Sequence, residues 1–489
     1  MLEWVIIAPI LAAIACVPLR HHPRVLEAVA IGGALISFVA LALSVFSSDV
    51  AVHPVSALFG ILYMDPLSLL FTSATSVVAL FVFAYSRGYI RAEVKEGTIK
   101  TENLWTYYAL CLLFLASMLL ATLTSDLLVL WAAVEATTLT SVFLISFYGN
   151  KESVEAAWKY LLICSLSITI ALVGLLVLGY GMQQAGRPES FAWSDVVAAA
   201  HLINPLYLKI AFAFIFVGYG TKVGLVPLHV WLPDAHSQAP TPVSAFLSGV
   251  LLNAALYAIL RVYPLAAQNP EVASFVSNLF LFFGLLSLGL ASLRLYSQEN
   301  YKRLLAYSSI ENMGIIALGV GIGGPLGLMA ALFHMVSHSL LKPLAFFYGG
   351  IVSLAYGTKE ISKIGGISQA LFGIGQLFVL INIGIAGCLP FGTFISEIIL
   401  LAAALSSGNL LVAALLVVFT TIAFGTFLLR SSQMAFGPLS GPAHHYTPDL
   451  LTRLSVWGLF ALALLGALLA PLIIIHLVNP AVQVILGGS

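Results

Sequence analysis

Charge is what this sequence has least of. Lysine and arginine total 20, aspartate and glutamate total 20, and charged residues are 8% of 489, against about 25% in soluble domains. A water-soluble fold of this length would need several times more charge to cover its surface. The net charge is zero, so there is no basic excess for nucleic acid. Cysteine is scarce too. Cys16, Cys111, Cys164 and Cys388 stand singly in apolar runs, without CxxC or Cys/His ligand spacing. That argues against iron–sulfur, zinc and disulfide readings. No GxGxxG or GxxxxGKS/T motif opens a soluble nucleotide-binding unit. No cofactor or metal is therefore expected on this chain, and any redox chemistry belongs to another one. The opening MLEWVIIAPILAAIACVPLR lacks the basic start of a cleavable signal and reads as a first membrane span.

Apolarity is what is there in its place, at 61% of residues. It recurs in runs of about 20 residues, each able to cross a bilayer core of about 30 Å. The expectation is an all-α polytopic membrane protein with about 14 transmembrane helices. They fall near 3–19, 25–46, 58–84, 104–122, 125–148, 154–180, 205–226, 242–263, 272–293, 302–322, 326–353, 369–389 with 391–407, 409–430 and 450–476. With the N-terminus outside, 14 of the 20 basic residues, from Arg20 to Arg453 and including Lys302, lie at cytoplasmic loops and their flanks. Only Arg187, Lys209 and Arg261 lie at the other side. This positive-inside bias makes a multi-pass cytoplasmic (inner) membrane protein with both termini on the outer, periplasmic side.

Two spans carry a proline break, at Lys222-Val-Gly-Leu-Val-Pro227 in span seven and Leu389-Pro390-Phe-Gly-Thr in span twelve. Irregular backbone at membrane depth is tolerated mainly where it lines a polar cavity. Breaks five spans apart suit two five-helix repeats, inverted because five is odd. The expected division is an N-terminal three-helix segment (1–103), a first repeat (104–263), a second repeat (272–430) and a C-terminal loop with the last transmembrane helix (431–489).

Ionisable groups inside such runs are functional by default, because burial disfavours their charged forms. Glu135 stands near the middle of span five, and Lys222 precedes the first break. A mobile Glu135–Lys222 pair would load and release a proton; a static ion pair is the bland alternative. In span eleven His334, His338 and Lys342 follow at i, i+4 and i+8, on one helix face. Histidine passes protons near neutral pH, so this face reads as a relay, ahead of plain hydrogen bonding or a metal site. Glu397 lies two turns past the second break, where Thr393 and Ser396 supply hydroxyls. Glu311 and Lys159 are weaker cases: Lys159 snorkels to the cytoplasmic face, and Glu311 pairs with a basic neighbour or another subunit. Asp126 is as well suited to capping Leu127 onward as to a transport role. His229, Asp234 and His236 lie in a Pro-rich connection, expected as a tight cytoplasmic mouth in which Asp234 caps the turn or assists proton uptake.

Several motifs carry a resemblance. Met64-Asp-Pro-Leu-Ser-Leu-Leu-Phe, Trp131-Ala-Ala-Val-Glu135, the stretch from Lys222 to Ala245, Lys302-Arg-Leu-Leu-Ala-Tyr-Ser-Ser and Phe333-His-Met-Val-Ser-His-Ser-Leu-Leu-Lys-Pro resemble the antiporter-like proton-pumping membrane subunits. That family includes complex I, Mrp-type antiporters and group 4 hydrogenases, and the likeness covers nearly the whole chain. Val250-Leu-Leu-Asn-Ala-Ala-Leu-Tyr-Ala-Ile-Leu-Arg and Ser308-Ser-Ile-Glu-Asn-Met-Gly-Ile-Ile resemble the F component of hydrogenase-4 in particular. Asn253 stands where several complex I relatives have histidine, which implies water in the central relay. Glu397 stands where some relatives have lysine.

The resemblance implies protons taken from the cytoplasm onto Lys222 under control of Glu135. They would pass through His334, His338 and Lys342 to Glu397 and leave outside. It implies a non-catalytic subunit of a hydrogenase-4/formate-hydrogenlyase-like or NADH:quinone oxidoreductase-like complex. Its partners would be other membrane subunits, lipid, and a peripheral redox arm carrying Ni–Fe and Fe–S centres. The alternatives are a subunit of a non-redox cation/proton antiporter or inorganic-carbon uptake complex, and a structural subunit whose ion pairs only hold helices together.

Overall fold

A computed structural model describes residues 1–47, 50, 54–188, 190–371, 375–440 and 446–487. The expected segments 1–103, 104–263, 272–430 and 431–489 each include residues outside that set, as do the expected span 369–389 and the polar stretch 431–449. Among the described residues, 12 helices are long and apolar enough to cross a membrane. Each overlaps an expected span, and most run past its ends, Pro66–Lys95 by eleven residues. The first expected span is the 13-residue helix Trp4–Cys16, about 20 Å long. The twelfth is split into Gly375–Ile385 and Gly392–Ser406.

Helix starts follow a repeated local rule. Asp or Asn stands at the N-cap of the helices Pro66–Lys95, Leu127–Ile145, Lys151–Gln184, Pro270–Tyr296, Tyr301–Ile322 and Leu450–Leu468, its side chain accepting a first-turn N–H. Each cap satisfies donors that have no partner inside the helix. The rule also explains why the third helix starts later than residue 58. Asp65 Oδ1 accepts the Ser68 N–H at 2.8 Å and Pro66 takes the first helical position. The residues before it form a small antiparallel hairpin, Val55–Ala57 against Leu62–Met64, the only strands among those described.

Helix Thr241–Ala267 is enclosed by protein along its whole apolar window, and Tyr301–Ile322 nearly so. Outer helices instead expose large apolar side chains such as Phe143, Leu162, Leu166 and Leu411. Such a surface belongs against lipid or another apolar chain. Helices Lys151–Gln184 and Pro205–Val223 approach closely, because a Cβ at Gly174 or Gly218 would meet the opposite backbone.

The first break is real, and its sequel differs from expectation. Helix Pro205–Val223 ends at Gly224 in the left-handed region (φ 87°), and the Val226–Pro227 peptide is cis. The Pro-rich stretch, expected as a tight connection, is itself helical: it resumes as helix Trp231–Gln238, with Trp231, Leu232, Ala235 and His236 fully buried. Trp231 Nε1 donates to the carbonyl of Thr221 at 2.9 Å, so the indole satisfies an acceptor at the end of the broken helix. The second break contains the cis Leu389–Pro390 peptide. A π-helical turn, Leu247–Leu251, interrupts the central helix just before Asn253. The last span also continues past residue 476, bending through Ala470–Ile473 and the π turn Ile474–Val478 into Asn479–Ile485.

Candidate functional site

Two lysines are wholly buried in similar settings. Lys222, in the last turn of Pro205–Val223, donates to the Val134 carbonyl at 2.7 Å and to Thr138 Oγ1 at 2.5 Å. The end of a helix carries partial negative charge, which favours a cation there. Lys342 donates to the Leu305 carbonyl at 2.9 Å and to the Ser308 hydroxyl. Each ammonium thus rests on one carbonyl and one hydroxyl of a neighbouring helix, and each of those helices carries a glutamate. For Lys222 it is Glu135, partly exposed, which accepts from Ser165 Oγ at 2.7 Å and from Thr138 Oγ1 at 3.3 Å. For Lys342 it is Glu311, one turn beyond Ser308 and fully buried, whose Oε2 has no hydrogen-bond partner among the described residues. Among the described residues, neither lysine is in an ion pair. The static Glu135–Lys222 bridge is therefore absent, and Glu311 has not found a basic partner.

Between these stations lies helix Thr241–Ala267. Asn253 Nδ2 donates to the Gly249 carbonyl and to Ser339 Oγ, both at 2.8 Å, while its Oδ1 is unpaired. Ser248 and Ser309 share a 2.7 Å hydrogen bond one turn away. His338 is buried, and neither ring nitrogen has a hydrogen-bond partner among the described residues. Unpaired buried polar atoms are satisfied in proteins by ordered water, so Asn253 and His338 suit a hydrated midpoint.

His334 is held firmly. Its Nδ1 lies 2.8 Å from Ser396 Oγ and its Nε2 2.9 Å from Asn312 Oδ1. Ser396 donates onward to the Thr393 carbonyl, and Thr393 Oγ1 donates to Gly384 O at 2.6 Å, across the second break. The next residue, Glu397, lines a cavity of about 390 Å³ with Gly387, Cys388, Thr420 and Phe424. Its carboxylate packs on Gly387, where a Cβ would collide with it. The order along span eleven is therefore the reverse of the one expected. His334 is the member beside the Glu397 segment, and Lys342 is two turns further away. No group of three or more His, Cys, Asp and Glu side chains forms a metal-ligand set among the described residues.

The supporting residues sort differently. Asp126 caps its helix, Oδ1 accepting from Leu128 N at 2.8 Å and Val129 N at 3.0 Å. Asp234 does not cap a turn. It ties Arg303 at 2.5 Å and Lys159 at 3.2 Å, joining three segments at the basic-rich end. His229 is buried beside Tyr307, with Nδ1 unpaired. Two charges counted at loop flanks turn inward rather than to water. Lys302 is buried, donating to Ala239 O at 2.7 Å. Arg261 is buried in a two-pronged pair with Asp65, at 2.5 and 2.7 Å. Of the residues that place the relay groups, Thr138 carries no sequence signal of its own, Asn312 enters only within a motif, and Ser396 only as a hydroxyl beside Glu397, without its partner His334.

Comparison with known proteins agrees with this architecture. The family described as NADH:quinone oxidoreductase/Mrp antiporter, TM, matches residues 124–423. The hydrogenase-4 component F homolog of Methylacidiphilum infernorum is 38% identical over 384 residues, 77% of this chain and 79% of that one. The A1 chain of the Na(+)/H(+) antiporter of Staphylococcus haemolyticus is 33% identical over 353 residues; the match spans 69% of this chain and 42% of that longer one. Among solved structures, a chain of the archaeal membrane-bound sulfane sulfur reductase superposes with TM-score 0.87 at 22% identity, covering 100% of this chain and 99% of that one. A chain of the Mrp complex from Dietzia gives 0.86 at 22% identity, covering 100% and 97%. A chain of Thermus thermophilus respiratory complex I gives 0.78 at 23%, covering 97% and 99%. All three are chains of membrane complexes, and at such identity they show a shared fold. The chain belongs to the NADH:quinone oxidoreductase/Mrp antiporter family of multi-span membrane subunits.

Proposed function

We propose that this chain conducts protons through Glu135, Lys222, the Lys342–His338–His334 face and Glu397, as the ion-moving subunit of a hydrogenase-4-like or NADH:quinone oxidoreductase-like complex. The observation that carries this reading is the pair of matched lysine stations. Each buried ammonium sits on a carbonyl and a hydroxyl rather than a carboxylate. A buried lysine without a counter-ion exchanges its proton far more readily than one locked in an ion pair. Thr138 sets Glu135 close enough to bias Lys222 electrostatically, and about 1.4 kcal/mol of such bias shifts a proton equilibrium tenfold.

Glu135 and Glu397 are both partly exposed, Glu397 in the cavity it lines. At membrane depth an exposed carboxylate needs polar company, which supports neighbouring membrane subunits at those points. On this reading the driving energy comes from redox centres, Ni–Fe and Fe–S, held by a peripheral arm. The charge asymmetry supports placement in the cytoplasmic membrane with both termini outside. Similarity to the antiporter chain favours a second reading, in which the same groups exchange protons for another cation without redox chemistry. Purifying the native complex discriminates between them. Nickel, iron and peripheral redox chains support the first reading; only further small membrane chains with cation-dependent proton exchange support the second.

A further inference from the structure

At the basic-rich end, five segments converge on one buried carboxylate that the path above does not use. Glu93 lies in the last turns of helix Pro66–Lys95 and is 7% exposed. Tyr89 donates to its Oε1 at 2.8 Å, and Tyr148, just past helix Leu127–Ile145, lies 2.7 and 2.8 Å from its two oxygens. Tyr85 stacks on Tyr89. Lys302 and Lys359 are both within electrostatic range of the carboxylate, yet neither forms an ion pair with it. Their ammoniums bind instead the carbonyls of Ala239 at 2.7 Å and Ser237 at 3.2 Å. A bridge between Asn300 and Glu360 holds the two lysine segments together. Lys359 is partly exposed, so the cluster reaches the surface there. Burial holds its ammonium below the ordinary lysine range, and Glu93 offsets this in part.

The two carbonyls that hold the lysines belong to the end of the short helix that also carries His236. That ring is fully buried, stacked 5.4 Å from Phe346, and neither nitrogen has a hydrogen-bond partner among the described residues. It lies within electrostatic range of Lys302, Lys342 and His338.

We propose that Glu93 is a proton-collecting acid at the cytoplasmic face, and that His236 passes its protons to the Lys342–His338 station, as a second intake that works only in step with the loading of Lys222. The carboxylate takes up one proton from solvent and yields it through water to one nitrogen of His236. The imidazole releases a proton from its other nitrogen to the neutral amine of Lys342, and then returns to its starting tautomer. Lys302 and Lys359 stabilise the carboxylate between one proton and the next. This intake rests on the proton-conducting reading above.

The test uses the assembled complex in inside-out vesicles, with driven proton uptake measured against the pH of the outer medium. Glu93→Gln should lower uptake about tenfold or more, the scale of a lost acid–base group, and Glu93→Asp should restore most of it. Tyr148→Phe should displace the pH profile while leaving assembly intact. Parental uptake in Glu93→Gln, or equal loss in the Gln and Asp variants, overturns the proposal. If neither Glu93 variant assembles, an unmoved pH profile in Tyr148→Phe overturns it. Loss of uptake in Lys222→Ala with none in Glu93→Gln refutes only this intake. Full uptake in Lys222→Ala refutes the path itself.

Discussion

Lys222 and Glu135 do not touch: the hydroxyl of Thr138 stands between them. It receives the ammonium at 2.5 Å and donates to Glu135 Oε2 at 3.3 Å. The hydroxyl couples the two charges while leaving each free to change protonation. Replacing Thr138 by valine keeps the shape, removes the link and leaves the buried ammonium one acceptor short, at a cost of about 1–3 kcal/mol. Proton movement per assembled complex should fall about tenfold, and Thr138→Ser should retain most of it. Equal rates in the valine variant and the parent would remove Thr138 from the account.

Gly387 gives a second test, at the other end of the path. It has φ 78°, and a Cβ there would strike the Glu397 carboxylate. Gly408 has φ 76° but open space around it. Alanine at either position costs about 1–2 kcal/mol of backbone strain. Only Gly387→Ala should also reduce proton release, and a vesicle assay of both variants separates strain from displacement of Glu397.

The buried Asp65–Arg261 pair is a structural tie. Arg261 also donates to Ser68 and to Tyr257, and its guanidinium lies 4.9 Å from the Trp193 ring centre. Removing one partner leaves an uncompensated buried charge, worth about 3–5 kcal/mol. Asp65→Leu or Arg261→Met alone should therefore lower the thermal midpoint more than the two together. A double variant worse than either single one would contradict this.

From sequence Asp126 is open to two roles, and its geometry is that of a cap. Asp126→Ala should cost about 1 kcal/mol of stability, read as a lower thermal midpoint. Proton movement per assembled complex should not change.

How much of this is legible in the sequence follows from contrast. Lys222, Lys342, His334 and Glu397 stand out because a charged or titratable group inside an apolar run is costly there. The helix bearing Lys342 also fixes the face it shares with His338 and His334. What those groups touch is not legible. Thr138, Ser308, Asn312 and Ser396 are neutral residues that occur on any helix, and only tertiary packing gives them partners. Arg261 and Lys302 escape for a related reason. Both sit near span ends, where composition cannot separate a side chain facing water from one turned inward. The route along span eleven runs opposite to expectation because the second break, not the sequence order, decides which end meets Glu397. The stretch 231–238 resembles a loop because it holds Pro233 amid Asp and His, yet Trp231, Leu232 and Ala235 give it a face to bury.

Everything proposed for the path depends on protons passing through Lys222. The most direct measurement is driven proton movement in vesicles by the assembled complex carrying Lys222→Ala, with the subunit's presence verified in the same preparation. The complex should assemble and no longer move protons through this subunit. Proton movement at the parental rate would contradict it.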